Sequence, residues 1–212
     1  FASDIMAEFG TLLMHGRTVY GNLCSGRENI WSDLRKSHKY EIRKMRKLGF
    51  VSKCNDFSYW EEFASVYRDT MRRVGAQKLY FFSDTYFNDL KQALGDHLYF
   101  WSLISPDGEL ASGTIFVETN GIVQNHLAGT AEKYMKYGPS KLLVYEAGNW
   151  GKNSGASYLH LGGGVGGKED ALFKYKTGFF KNYASFYTFR LVVDEEKYHL
   201  LKTEWISRFG RD

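Results

Sequence analysis

Three apolar segments joined by two short turns constrain the fold more than any other feature of the sequence. Residues 98–105, 110–118 and 122–128 are rich in β-branched and aromatic side chains, which predicts three strands. Between them lie Pro106-Asp107-Gly108 and Asn120-Gly121, and both are turn sequences that join antiparallel strands. The middle of the chain is therefore predicted to be an antiparallel meander.

Amphipathic helices are predicted on both sides of the meander. The first carries Trp31, Leu34, Ile42 and Met45 on one side at helical spacing, and basic residues fill the opposite side. Glycines or capping residues mark the ends of most of the helices. The predicted helical ranges are 31–48, 58–74, 84–94, 140–154, 170–177 and 195–209.

A short strand over 158–161 follows the helix that begins at Ser140. A strand–helix–strand crossover places its two strands parallel to each other, so 158–161 is predicted to lie beside 122–128. A hairpin over 11–24 and a strand over 186–193 complete the pattern. The predicted fold class is α+β: a mixed, mostly antiparallel sheet flanked by helices, with one parallel strand pair after the meander. The simplest organisation is a single domain over 1–212.

Composition narrows the functional classes. The apolar fraction of 43% and the charged fraction of 25% are ordinary for a globular chain and exclude a disordered one. No apolar run approaches the length of a membrane-spanning helix, so no transmembrane segment is predicted. Cys24 and Cys54 lie far apart in no metal-ligand pattern, so no metal site is predicted. The two residues allow a single disulfide or two free thiols, and free thiols in the cytoplasm are favoured.

Positive charge is concentrated in one segment. Residues 35–53 contain eight Lys or Arg against one Glu, a net of +7, while the whole chain has a net charge of +4. This basic helix face is open to three interpretations: a solvated surface, a contact with an RNA backbone, or a grip on a polyphosphate acceptor. The candidate substrate-binding residues are Arg35, Lys36, Lys39 and Arg43.

Two glycine-containing junctions are candidate binding sites. Gly138, Ser140 and Lys141 lie at the start of a helix, where free N–H groups and positive charge favour an anion such as a phosphate; an ordinary helix cap explains them equally well. Gly162, Gly163 and Gly164 directly follow an apolar strand, which suggests either close approach of a ligand to the backbone or a flexible surface loop.

Candidate acid–base residues lie near these junctions. His126 and His160 each fall in a predicted strand, so they are either core residues or neighbours lining one cleft. Asp170 is a candidate carboxylate that also suits a helix cap.

Three segments together resemble a known family. Tyr137–Glu146, Leu159–Gly164 and Leu172–Phe179 are similar to the Fem-type branch of the GNAT acyltransferase superfamily, and the similarity spans roughly 31–200. That branch includes transferases that build peptidoglycan cross-bridges from aminoacyl-tRNA. The resemblance implies a GNAT-like domain that forms the C-terminal part of a longer chain, and an acyl or aminoacyl transfer to an amine or hydroxyl of a cell-envelope precursor.

The resemblance also implies site residues and partners. Lys176 matches the lysine of the family's Phe/Tyr-Lys-x-Gly-Phe motif, where it would contact the phosphate of donor or acceptor. The coenzyme A loop of ordinary GNAT enzymes, Arg/Gln-x-x-Gly-x-Gly/Ala, survives only as Gly138. Acyl-CoA and aminoacyl-tRNA both remain candidate donors. The expected partners are a small or lipid-linked envelope precursor and tRNA, with no DNA and a peripheral position at the membrane.

Three hypotheses follow. The first is a Fem-like acyl or aminoacyl transferase that uses Lys176, His126, His160 and Asp170. The second is an acetyl-CoA-dependent N-acetyltransferase acting on a nucleotide sugar or polysaccharide precursor. The third is a non-catalytic module that binds RNA or a polymer through the basic helix 31–48.

Overall fold

A computed structural model describes residues 2–24, 26 and 30–210 of the chain. Arg17–Ala184 form a large compact unit, and the described residues on either side of that range form a smaller one. The α-helices are α1 (Ala2–Phe9), α2 (Lys36–Lys47), α3 (Trp60–Arg73), α4 (Asp84–Leu94), α5 (Ser140–Asn153), α6 (Ala171–Lys176) and α7 (Glu195–Phe209). The strands are β1 (Thr11–Asn22), β2 (Val51–Cys54), β3 (Leu98–Ile104), β4 (Leu110–Thr119), β5 (Ile122–Thr130), β6 (Tyr158–Gly162) and β7 (Asn182–Arg190).

The strands form one sheet in the order β2–β3–β4–β5–β6–β1–β7. β3, β4 and β5 make the predicted meander, and β5 and β6 are the predicted parallel neighbours. The other pairings that are resolved within the large unit are antiparallel. The predicted α+β fold, with a mixed and mostly antiparallel sheet, is confirmed.

The parallel pairing between β5 and β6 is short. It joins Ile122 to Tyr158, Val123 to Leu159 and Gln124 to His160, and it then stops. Beyond that point β5 continues to Thr130 along β4, while β6 continues to Gly162 along β1. The two strands therefore part in the middle of the sheet.

Each face of the sheet has its own core in the large unit. One core contains buried residues of α2 and α5 together with Val123, Leu159 and Leu161. The other contains buried residues of α3 and α4 together with Phe100 and Ile115. The predicted first helix over 31–48 is shorter in the structure, because a 3-10 turn over Ile30–Asp33 precedes α2. The predicted apolar residues are still buried or, for Trp31, partly buried.

Two predictions about the outer strands are wrong. The expected hairpin over 11–24 is one continuous strand, β1. The last strand spans Asn182–Arg190 rather than 186–193.

The smaller unit contains α7, and every described residue of that helix is exposed. Asp194 caps α7 by accepting a hydrogen bond from the Lys197 N–H at 2.9 Å. No described helix combines the length and the apolar character needed to cross a membrane.

The approach of α3 to β5 depends on one glycine. A Cβ atom on Gly129 would lie 2.9 Å from the backbone N and Cα of Tyr67 in α3. We therefore expect Gly129→Ala to lower the free energy of unfolding by about 1–3 kcal/mol, because the helix must move away from the sheet. Urea denaturation measures this effect. Gln124→Ala, an exposed change on the same strand, is the control and is expected to unfold like the wild type. Unfolding of Gly129→Ala at the wild-type midpoint would contradict the packing described.

Candidate active site

A cavity of about 270 Å³ opens where β5 and β6 part. The cavity lies in the large unit and is walled by the sheet, by α5 and by α6, with one residue from α3. Most of the wall is apolar, and several polar side chains point into it. The lining residues are Thr70, Thr114, Asn125, Ala128, Gly129, Thr130, Ser140, Val144, Leu161, Leu172, Tyr175 and Lys176.

A bulge in β5 shapes the sheet side of the cavity. Phe116 pairs with Asn125 and Ile115 pairs with Leu127, so His126 is an extra residue without a partner in β4. A bulge reverses the side-chain alternation beyond it. Asn125 and Ala128 therefore both face the cavity although they are three residues apart.

Lys176 is the cationic side chain of the cavity wall. Its Nζ donates a hydrogen bond to the Gly163 carbonyl at 2.6 Å. Burial lowers the pKa of Lys176 to about 8, and the nearby charge of Asp170 limits this shift. The amine is thus mainly protonated at pH 7, and it loses its proton at a lower pH than an exposed lysine does.

Contacts from α2 hold α6 in place. His38 is fully buried, and its Nδ1 accepts from the Arg35 Nε–H at 3.1 Å. Since Nδ1 accepts, Nε2 carries the proton, and it donates to the Tyr175 carbonyl at 3.1 Å. Arg35 also donates from its guanidinium to the Lys174 carbonyl at 3.1 Å and from its backbone N–H to the Gly178 carbonyl at 2.8 Å. These bonds fix the segment that carries Lys176.

An acidic side chain already lies at the predicted anion-binding site at the start of α5. Glu41 of α2 forms an ion pair with Lys141, and a Cβ on Gly138 would lie 2.6 Å from the Glu41 carboxylate. Ser140 lines the cavity, and its hydroxyl shares a 3.0 Å hydrogen bond with Tyr175, whose pKa is raised to about 12 by burial. The carboxylate of Glu41 opposes a phosphate at this position.

The glycine run after β6 packs against protein. A Cβ on Gly163 would lie 2.8 Å from the Arg17 carbonyl, and one on Gly164 would collide with Asp170. Gly162 has a positive φ of 76° and lies beside the Lys176 ammonium group. None of these three glycines lines the cavity. In the structure, the missing side chains of Gly163 and Gly164 allow the loop to pack closely against Arg17 and Asp170. The Gly163 carbonyl also accepts the hydrogen bond from Lys176.

Asp170 closes the same loop. Its carboxylate accepts from the backbone N–H groups of Val165 at 3.0 Å and Phe173 at 2.9 Å, which caps α6. These hydrogen bonds lower the pKa of Asp170. The carboxylate therefore stays ionised, and it contributes to the cavity through its charge beside Lys176.

Neither predicted histidine lines the cavity. His126 is the bulged residue and is more exposed than His160. His160 lies between Leu159 and Leu161, which both enter the α2–α5 core, so its ring points to the other face of the sheet. Partial burial lowers the pKa of both rings, and the charge of Lys176 lowers that of His160 further. The role of these two residues as bases stays a prediction.

The four basic residues predicted to bind substrate have different surroundings in the structure. Arg35 is committed to α6, and Arg43 lies over the Trp31 ring at 5.1 Å. Lys39 makes a long 3.4 Å contact with the Ser32 carbonyl. Lys36 is exposed at the start of the helix. Arg35 and Arg43 thus have structural contacts, whereas Lys39 is half-buried and Lys36 is exposed.

Sequence reasoning missed several residues of this site. His38 lies four residues from both Leu34 and Ile42, so its place on the buried side of α2 follows from the helical spacing. Thr114 and Asn125 sit inside well-predicted strands, and only the bulge makes them neighbours in one cavity. Tyr175 precedes Lys176 and could have been found with it.

A family profile described as "Acetyltransferase (GNAT) domain" matches residues 32–177. This range covers most of the chain and includes nearly all of the elements around the cavity. The chain belongs to the GNAT acetyltransferase family. The domain is accordingly an acyltransferase, as predicted. No curated protein sequence matches it.

Solved structures resemble this GNAT domain in fold. FemX superposes with a TM-score of 0.70 at 12% identity, over 88% of this chain and 64% of that one. L-PGS from Bacillus licheniformis gives 0.62 at 17% identity, over 97% and 68%. The C-terminal domain of a candidate lysylphosphatidylglycerol synthetase from Agrobacterium fabrum gives 0.64 at 10% identity, over 96% and 68%. The resemblance to the Fem-type branch is confirmed as a likeness of fold, and this chain spans about two thirds of the length of these proteins.

The buried His38 predicts an acid-sensitive fold. Burial lowers its pKa from 6.5 to about 4, so the unfolded chain binds more protons than the folded one between these values. The free energy of unfolding should fall as the pH drops from 6.5 to 4, by up to about 3 kcal/mol from this residue. His38→Gln keeps a donor and an acceptor but does not titrate, so its unfolding free energy, measured in urea at pH 7 and 4.5, should change less than that of the wild type. An equal change in both proteins would contradict this assignment.

Lys176 predicts a pH dependence of the same sign in a more alkaline range. Its pKa is about 8 in the folded domain and 10.5 when unperturbed, so wild-type stability should rise with pH between these values. Relative to the wild type, Lys176→Met should be favoured most at pH 7, and this advantage should shrink by about 1–3 kcal/mol at pH 10. Urea denaturation at both pH values measures the difference. A constant difference between the two proteins would show that the amine is not desolvated.

Proposed function

We propose that this GNAT domain transfers an activated acyl or aminoacyl group to an amine or hydroxyl of a cell-envelope precursor. The observation that carries the proposal is the cavity between the parted strands, with a desolvated Lys176 in its wall. A reactive carbonyl placed there would be shielded from water on three sides. Its oxygen would have a cation within a low-dielectric wall.

The chemistry needs little from the protein beyond positioning and charge. The nucleophile forms a bond to the carbonyl carbon, the ester or thioester bond breaks, and the proton of the nucleophile passes to the leaving group. Negative charge develops on the carbonyl oxygen, and the Lys176 ammonium group stabilises it. Its carbonyl partner Gly163 holds one N–H and leaves two for the substrate.

The residues at the start of α5 help to distinguish coenzyme A from other acyl donors. Coenzyme A would bring a pyrophosphate to this helix end, where Glu41 now lies against Gly138 and pairs with Lys141. These residues do not suit a pyrophosphate, which favours a donor that is held elsewhere. Aminoacyl-tRNA is such a donor, and it is the one that the Fem-type resemblance implies.

The names of the structural neighbours support the acceptor class. One neighbour is described as a candidate lysylphosphatidylglycerol synthetase, a name that denotes formation of an aminoacylated membrane lipid. For this chain we propose a small or lipid-linked envelope precursor, met by a peripheral cytoplasmic protein. The exposed Lys36 and the half-buried Lys39 are proposed to contact the phosphates of acceptor or tRNA.

The second candidate is an acetyl-CoA-dependent N-acetyltransferase, which the description of the matching family favours. It differs from the first in its donor. It requires the Glu41 carboxylate to move away from Gly138 when coenzyme A binds.

The test compares donors and variants. The wild type is incubated with a bacterial envelope fraction and either [14C]acetyl-coenzyme A or tRNA charged with 14C-labelled amino acids. We expect label to pass from the charged tRNA, and we expect Lys176→Ala to lower that rate about 100-fold or more because the oxyanion loses its cation. Lys174→Ala, an exposed lysine two residues away, is the matched control and should retain the wild-type rate.

Each other outcome rejects a defined part of the proposal. Transfer from acetyl-coenzyme A alone would favour the second candidate. Full activity of Lys176→Ala would remove Lys176 from the site. Transfer from neither donor, together with salt-sensitive RNA binding that needs Lys36 and Lys39, would favour the non-catalytic module.

A further inference from the structure

One buried hydroxyl in the cavity wall has no hydrogen-bond partner. Thr114 of β4 is 0% exposed, and its Oγ1 makes no hydrogen bond. Leaving a buried hydroxyl unpaired costs stability, so such groups are rare in folded proteins. Thr114 lines the cavity, so a bound ligand can supply the missing partner.

The other small polar side chains of the wall are already engaged. The Thr70 hydroxyl donates to the Val66 carbonyl at 2.8 Å. The Thr130 hydroxyl bonds to Ser112 at 3.1 Å, and Ser140 bonds to Tyr175 at 3.0 Å. These groups hold the wall together and have little capacity left for a ligand.

Asn125 is the exception besides Thr114. The residue is half-buried, and its carboxamide makes no hydrogen bond with any described residue. Thr114 pairs with Ala128, and the bulge at His126 turns Asn125 to the same face as Ala128. The two unpaired side chains therefore offer both donors and acceptors on one wall of the same cavity.

The charges of the wall restrict what these groups can bind. No lining residue is acidic, and Lys176 is cationic. A cationic ligand group would be repelled there without a counter-ion, whereas a hydroxyl or an unprotonated amine can both donate and accept. Apolar side chains such as Val144, Leu161 and Leu172 surround the remainder of the space.

We propose that Thr114 and Asn125 form a polar subsite that selects acyl groups carrying an uncharged hydrogen-bonding substituent, a hydroxyl or an unprotonated amine. This inference rests on the proposed function, since it assigns the cavity to the acyl group. It adds the residues that distinguish such an acyl group from a plain acetyl or alkyl chain.

Small amides test the subsite in the full chain. Lactamide and propionamide differ by one hydroxyl, and L-alaninamide, compared with propionamide at the same pH of 9, presents a mainly unprotonated amine. Binding is measured by NMR from the methyl signals of Thr114, Ala128 and Val144. We expect lactamide or alaninamide to bind about fivefold or more tightly than propionamide, the effect of one added hydrogen bond to a neutral group.

Two variants and a control accompany the binding experiment. Thr114→Val keeps the shape of the side chain and should abolish the preference, while its thermal midpoint should equal or exceed that of the wild type because an unpaired hydroxyl is removed. Asn125→Ala should weaken the preference independently. Ser102→Ala removes another fully buried, unpartnered hydroxyl that lies outside the cavity, so it should keep the preference.

Equal binding of the three amides by the wild type, binding of none of them, or a preference that survives in Thr114→Val would overturn the subsite. A lower midpoint for Thr114→Val would also overturn it, because the hydroxyl would then be structural. If the wild type transfers no acyl group but still binds lactamide or alaninamide more tightly than propionamide, only the proposed function is rejected. Transfer that depends on Lys176 without any preference among the amides would reject the subsite alone.

Discussion

The early parting of β5 and β6 is the constraint on which the site depends. Three residue pairs join the strands, and then each strand follows its outer neighbour, β4 or β1. The parting leaves backbone N–H and C=O groups on the two facing edges without a strand partner. It also makes room in the centre of a sheet that would otherwise be closed. The bulge at His126 then turns Asn125 and Ala128 into that room.

The second requirement is that α6 stays in place above the opening. Its anchors come from α2, through the buried imidazole of His38 and the guanidinium of Arg35. Lys176, Thr114 and His38 all have polar groups in surroundings that disfavour their charged or unpaired forms. Lys176 and Thr114 thus bring two of the domain's unfavourably placed polar groups to the cavity wall, a feature that functional sites often show. Ser140 and Tyr175 link this helix to α5 and complete the wall.

Local signals explain what could be predicted from the sequence. The turns at Pro106–Gly108 and Asn120–Gly121 fix the meander, and the crossover through α5 fixes the parallel pair. Lys176 was predicted through a short motif shared with a family. By contrast, Glu41 of α2 lies beside Gly138 although the two are far apart in the sequence. No sequence pattern predicts the bulge at His126. Contacts between distant segments decided which predicted residues face the cavity, and neither the spacing nor the composition of the sequence encodes them.

A crystal structure with a stable donor analogue would show whether the reactive carbonyl binds in the opening between β5 and β6. The analogues are acetonyl-coenzyme A and lysyl-adenosine joined by a 3′-amide, each soaked into the full chain. We expect the carbonyl of the bound analogue to lie between Ala128 and Leu161, with its oxygen within hydrogen-bond distance of the Lys176 Nζ. A carbonyl bound on any other surface, with the opening between β5 and β6 left empty, would contradict this expectation.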